Sequence, residues 1–154
     1  MIRRSTAGYV TTETVLTFPV FVTRFMTFVQ LAHLEVASLA TEHAAVTATR
    51  AAAVIRADDP RFYDSAVGVA RGTRLAEITD AARIPLRVTA ERPEVRVSFP
   101  DRAVFREGDQ VRLRADYAYA CTVPIGRWVC GASGTKRIVR EATMPYQGAG
   151  YVVR

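Results

Sequence analysis

From Thr14 to Leu34 the chain runs for 21 residues in which only Arg24 and His33 can carry charge. Eleven of these residues are Val, Leu or Phe. As a helix the run would measure about 31 Å, enough to cross a hydrocarbon core. The eleven large apolar side chains favour insertion by about 3 to 6 kcal/mol together, while Arg24 opposes it by about 2.5 to 3.5 kcal/mol. Pro19, Gln30 and His33 add to the opposition, so the balance is marginal. A subunit that must later leave the bilayer benefits from such a balance more than a permanent anchor does. A buried helix of a soluble protein would account for neither the Phe-rich run nor the basic residues ahead of it.

The helical pattern continues past the apolar run. From Glu35 onward there is no Gly or Pro until Pro60, and alanine, the best helix former, dominates. The first stop signal is Asp58-Asp59-Pro60, which predicts one helix from about Thr12 to Ala57, on the order of 70 Å long. Its second half carries small residues on almost every face, which permits close helix–helix approach. That composition suits either a packed filament core or a helix lying against its own domain.

Beyond Pro60 the periods change. Residues 61–72 have no clear period, and Leu75, Ile78 and Ala82 then repeat at helical spacing, predicting a short helix over 74–83 that Ile84-Pro85 ends. Glu94–Phe99 and Gln110–Tyr119 alternate with period two. In the second run Val111, Leu113, Ala115, Tyr117 and Tyr119 share one face, and Arg112, Arg114 and Asp116 share the other. Lys136–Met144 is a candidate third strand, and Pro100-Asp101 and Glu107-Gly108-Asp109 supply turns. These elements predict an α+β fold: a long N-terminal transmembrane α-helix with a small C-terminal antiparallel β-sheet domain, a lollipop. The expected organisation is a leader (1–8), a long helix (9–57, with an apolar half 14–34 and an Ala-rich half 35–57), a connecting region (58–92) and a β-rich domain (93–154). Tyr117 and Tyr119 read as core residues and Trp128 as the better candidate for exposure. The tail 148–154 reads as a last short strand or a loose end.

The leader changes the functional picture. Met1 to Gly8 carries Arg3 and Arg4 and ends in Gly, and Glu13 stands five residues later at the head of the apolar run. An ordinary secretory signal places its cleavage site after the apolar core and loses the core. A cut between Gly8 and Tyr9 would fall before it, as a prepilin peptidase cuts, and the helix would be kept as an assembly surface. Arg3 and Arg4 precede the run while Glu35 and Glu42 follow it, so the positive-inside rule places the N-terminus in the cytoplasm and the rest outside. Glu13, Arg24 and Glu35 are spaced eleven apart, nearly three helical turns, so they project from one face. At about 16 Å apart they cannot pair within one helix, but axially staggered neighbours would bring Arg24 of one subunit near Glu13 or Glu35 of another.

Charge and cysteines refine this reading. The formal charge is +6, and losing the leader's two arginines leaves +4, dispersed among acids and not gathered on one face, so no nucleic-acid partner is expected. Cys121 and Cys130 are nine positions apart, with Pro124 and Gly126 between them to make a turn. In an oxidising compartment the default is a disulfide worth roughly 2–3 kcal/mol. The other option is a metal pair, which lacks a CxxC spacing or a neighbouring His cluster. His33 and His43 have no nucleophile suggested beside them. No phosphate loop, HExxH motif or dinucleotide turn is present, so no catalytic residue and no cofactor is expected.

Taken together, these residues resemble the TadE-like minor pilins, or pseudopilins, of tight-adherence (Tad) type IV pilus systems. The resemblance rests on Gly8 followed by Glu13 at the fifth mature position, on Pro19 six residues after that glutamate, and on the Ala-rich Thr47–Val54 stretch. It covers about the first 55 residues. The chain departs from the family pattern at Thr11, Thr12 and Arg24 and in the threonines that interrupt its apolar run. The resemblance implies that Gly8 precedes the scissile bond, that Tyr9 is the mature N-terminus, and that Glu13 is the carboxylate neutralised by a neighbour's terminal ammonium. It further implies a structural subunit of a Tad-type pilus or secretion apparatus. Its partners would be other pilins or pseudopilins, a prepilin peptidase, the inner-membrane assembly platform and, before assembly, membrane lipid. The location would be the inner membrane with the C-terminal domain periplasmic, then the pilus. The rival expectation is an uncleaved single-pass membrane protein whose periplasmic domain binds an envelope partner.

Overall fold

The computed structural model describes residues 7–101, 108–124 and 126–146. The leader up to Thr6, Glu107 of the second turn, Ile125 and the tail 148–154 lie outside the described residues. The elements in chain order are α1 (Ala7–Ile55), a 3₁₀ turn (Pro60–Phe62), α2 (Gly72–Leu86), β1 (Val95–Ser98), β2 (Gln110–Ala120), α3 (Gly126–Cys130) and β3 (Thr135–Pro145). The expected α+β fold, a long N-terminal apolar helix and a small three-stranded antiparallel sheet, is the fold of this chain. By contacts the chain divides into two compact units, residues 35–119 with 137–154, and residues 1–34 with 120–136.

In the larger unit, the Ala-rich half of α1 buries Ala37, Ala40, Ala44, Ala45, Ala48 and Ala52, a stripe that returns every three to four residues. Thr41 and Thr49 lie in the same stripe, and each is buried with its hydroxyl donated to the carbonyl four residues back, of Ala37 and Ala45 at 2.6 Å. Of the two roles its composition allowed, this half is the one packed within its own domain. The helix stops two residues short of the expected end. Ala57 N donates to Val54 O and Asp58 N to Ile55 O, a tightening of the last turn that Pro60 then prevents from continuing.

What holds that terminus is Arg74. Its guanidinium donates to the carbonyl oxygens of Ile55 and Asp58, the latter at 2.9 Å, and lies 4.4 Å from the centroid of the Tyr63 ring. The side chain is fully buried. A fork of donors on the last carbonyls of a long helix satisfies acceptors that have no partner in the helix, and places a cation at the negative end of its dipole. Arg56, also fully buried, stacks 3.9 Å over Phe99, and burial lowers its pKa to about 10.

α2 corrects the expected helix in two ways. Its buried stripe is Arg74, Ile78, Ala82 and Leu86, with Leu75 only half-buried. It also runs through Pro85 instead of ending before it. Pro85 cannot donate to the Ala81 carbonyl, yet the helix continues, and the three residues beyond Arg83 bring Leu86 into the core. α2 packs on β1.

The sheet has the order β1-β2-β3, with Val95 opposite Tyr117 and Val97 opposite Ala115. The predicted face of β2, Val111 to Tyr119 at every second position, is the buried one. The Tyr117 hydroxyl shares a hydrogen bond of 2.8 Å with Thr89 just after α2. On the outer face two ion pairs cross from β2 to β3: Arg112 with Glu141, and Asp116 with Arg137. The first index rises as the second falls, as an antiparallel pair requires. Arg140 of β3 donates to Ser38 Oγ on α1.

Two consequences are measurable. Replacing Arg74 with Met removes the guanidinium donors from the Ile55 and Asp58 carbonyls and should cost about 2–4 kcal/mol. Denaturant unfolding of the full chain in detergent, followed by circular dichroism, checks this, and a change below about 0.5 kcal/mol would contradict the capping role. The Arg137 guanidinium holds the Asp116 carboxyl below its ordinary value of 3.8. A carboxyl lowered by folding stabilises above its unfolded value, and that stabilisation is lost as pH falls through its folded value. Wild type should therefore melt higher than Asp116→Asn at about pH 6, with the gap narrowing as pH falls below 3.8. Parallel melting curves across that range would refute the assignment.

Candidate functional site

The smaller unit contains the apolar half of α1 and the disulfide loop. The helix backbone is continuous from Ala7, so Gly8 and Tyr9 are helical. α1 is long and apolar enough to cross a membrane. Its large side chains face outward: Val15, Leu16, Phe18, Val20, Phe21, Phe25 and Phe28 are all more than half exposed, and Phe21 stacks on Phe25 at 6.5 Å between ring centroids. Glu13, Pro19, Arg24 and Glu35 are also exposed on α1, as are His33 and His43. Among the described residues no ion pair involves Glu13, Arg24 or Glu35, as expected for residues three turns apart.

Threonines interrupt the apolar run, but their hydroxyls are satisfied within the helix. Thr17 donates to Glu13 O at 2.8 Å, Thr23 to Pro19 O at 2.7 Å and Thr27 to Thr23 O at 2.8 Å. A hydroxyl bonded to the carbonyl one turn back loses little when water is removed, so these positions are compatible with lipid. Pro19 lacks the N–H that would reach Val15 O, and it sits inside the helix all the same.

Gln30 follows the last phenylalanine of this face, Phe28, while Leu31, Val36 and Leu39 stay exposed beyond it. Gln30 is fully buried, and its Oε1 accepts from Val123 N at 3.2 Å, drawing the disulfide loop onto α1. Its Nε2 has no hydrogen-bond partner among the described residues. Cys121 and Cys130 form the disulfide, with Cα atoms 6.5 Å apart, and Cys121 N donates to Gly134 O at 2.9 Å, closing the neck of the loop. A Cβ at Gly126 would come within 2.8 Å of the Cys121 Cβ and 3.2 Å of Gln30 Oε1, so only glycine fits where the loop meets the helix. Gly131, directly after α3 with φ +81, takes the left-handed position that ends a helix.

Sequence reasoning found the cysteine pair and the exposure of Trp128, which is 86% exposed on α3. It read Tyr117 and Tyr119 as core, and both are buried. It missed α3 itself and the part played by Gln30. The available signals were a lone amide near the end of an apolar run and a Pro-Ile-Gly turn between two cysteines. Comparison of the chain with protein-family models, with curated proteins and with solved structures gives no match. The class defined by the fold is therefore the coarse one, an α+β chain with one N-terminal helix able by length and composition to span a membrane.

Proposed function

We propose that this chain is a pilin-like, TadE-like structural subunit of a Tad-type pilus or secretion apparatus. A prepilin peptidase would process it, and it would assemble through its N-terminal helix. The observation that carries this reading is the division of α1. Its Ala-rich half buries a stripe of alanines in the chain's own domain, while its Phe-rich half presents large apolar side chains that are exposed among the described residues. Lipid can cover them before assembly and the helices of sister subunits afterwards. Glu13, at the head of that half, gains strongly in either setting from a neighbour's terminal ammonium, because a lone carboxylate in hydrocarbon is costly. Arg24, exposed among phenylalanines, has the same need, and Glu13 or Glu35 of a staggered neighbour meets it.

A second reading is favoured by one feature: the helix runs unbroken through the Gly8–Tyr9 bond, which a peptidase would have to unwind. On that reading the chain is an uncleaved single-pass membrane protein, its outer domain bound to an envelope partner. Mass spectrometry of the N-terminus separates the two, since a processed subunit begins at Tyr9 and the anchor retains residues 1–8. Gly8→Asp should abolish processing and filament incorporation, and normal polymerisation of that variant would reject the subunit reading. Within the subunit reading, Arg24→Glu should reduce assembly, with recovery by Glu13→Arg or Glu35→Arg. Failure of both double variants to recover would remove the staggered pair.

A further inference from the structure

The disulfide loop carries a feature that assembly through α1 does not use. Trp128, the chain's single tryptophan, is among the described residues the most exposed large apolar side chain, yet it sits on a loop that is braced from three sides. The disulfide closes its ends, Cys121 N bonds to Gly134 O, and Val123 N bonds to Gln30. So much bracing behind one bare indole presents the ring in a fixed place.

That place can be read along α1. Gln30 lies seventeen residues beyond Glu13, a rise of about 26 Å, close to the thickness of a hydrocarbon core. Gly126 is in near contact with Gln30, and Trp128 follows two residues later, about 3 Å further along α3. The indole therefore stands beside the turn of α1 that follows its last phenylalanine, Phe28. Gln30 supports a membrane boundary at that level. Its Nε2 has no hydrogen-bond partner among the described residues, and an amide donor in need of one is costly to hold deep in hydrocarbon. An indole has an apolar body and one N–H donor, which suits it to that boundary zone, and tryptophan is enriched there.

We infer that the disulfide loop is a second membrane contact, with Trp128 seated in the interfacial layer of the outer leaflet beside Gln30, so that the loop fixes how deeply α1 sits. The inference rests on the reading of α1 as a membrane-spanning helix. It commits to lipid as the occupant of this surface, continuous with the apolar face of α1. A neighbouring protein on Trp128 is the competing outcome.

Because Trp128 is unique, its fluorescence in the unmodified full chain reports on the loop alone. The chain is reconstituted into phosphatidylcholine vesicles, either plain or carrying bromine near the top or near the end of the acyl chains, with iodide as the aqueous quencher. Blue-shifted emission is expected, with strong loss of intensity to the shallow bromines, less to the deep ones and little to iodide. Water-like emission that iodide quenches and neither brominated lipid affects would overturn the inference, and would leave the indole for a protein partner. Phe21→Trp in a Trp128→Phe background reports on α1 separately. Quenching there by the deep bromines shows that the helix spans, so a wet Trp128 then defeats only the loop inference. If that probe is not quenched by lipid, the membrane reading fails and the loop inference with it.

Discussion

One continuous helix must satisfy two different surroundings, and most of the structure follows from that constraint. The Ala-rich half of α1 turns a stripe of small residues into the domain core, where alanine lets neighbouring backbone come close and loses no side-chain entropy. The apolar half carries large side chains instead, and among the described residues most of these are left exposed. Large apolar surface belongs against lipid or another helix, because in water it is expensive to leave open. On the proposed reading, the change from Phe and Val to Ala along α1 marks a change of surroundings.

The same constraint explains how the far end of α1 is finished. A helix of this length ends in carbonyls with no helical donor, and Arg74 supplies two from α2 while stacking on Tyr63. The arginine is thereby desolvated among partners that match its fork, which makes it a core residue by function although charged by type. Arg56 on Phe99 repeats the device one turn away, with the cation against an aromatic face. Two buried guanidiniums take the place of the aliphatic bulk that the alanines of α1 do not provide. The small sheet contributes its own alternation, Val111 to Tyr119 inward and the Arg–carboxylate pairs outward.

How far the sequence disclosed this depended on whether a feature is periodic. The period of β2 assigned every inward residue correctly, and its breadth of five alternations left no second register. α1 was legible as far as its stop signal, because nothing between Glu35 and Pro60 breaks a helix. The period in α2 was read from apolar residues alone, which favoured Leu75 over Arg74. Hydropathy cannot foresee an arginine whose burial depends on carbonyls nineteen and sixteen residues earlier in the chain. Pro85 was taken as a stop because it lacks the N–H that the helix ladder needs, yet the helix continues to Leu86, which is buried in the core. The role of Gln30 was invisible for a related reason: its bond to Val123 N spans 93 residues, and no local pattern encodes it.

The threonines of the apolar run show how marginal insertion and a stable helix can coexist. Each of Thr17, Thr23 and Thr27 lowers hydrophobicity, yet each hydroxyl is bonded inside the helix and needs no water. The cost of moving these residues between lipid and a protein bundle is therefore small in both directions, since neither setting must supply a partner. Arg24 and Glu13 differ, for their charges remain unmet in lipid and favour any arrangement that brings opposite charges together. On the proposed reading this asymmetry sets the direction of exchange: the neutral positions ease release from the bilayer, and the charged ones reward arrival in the bundle. A helix of leucine throughout would hold to lipid more firmly and have no such reason to leave.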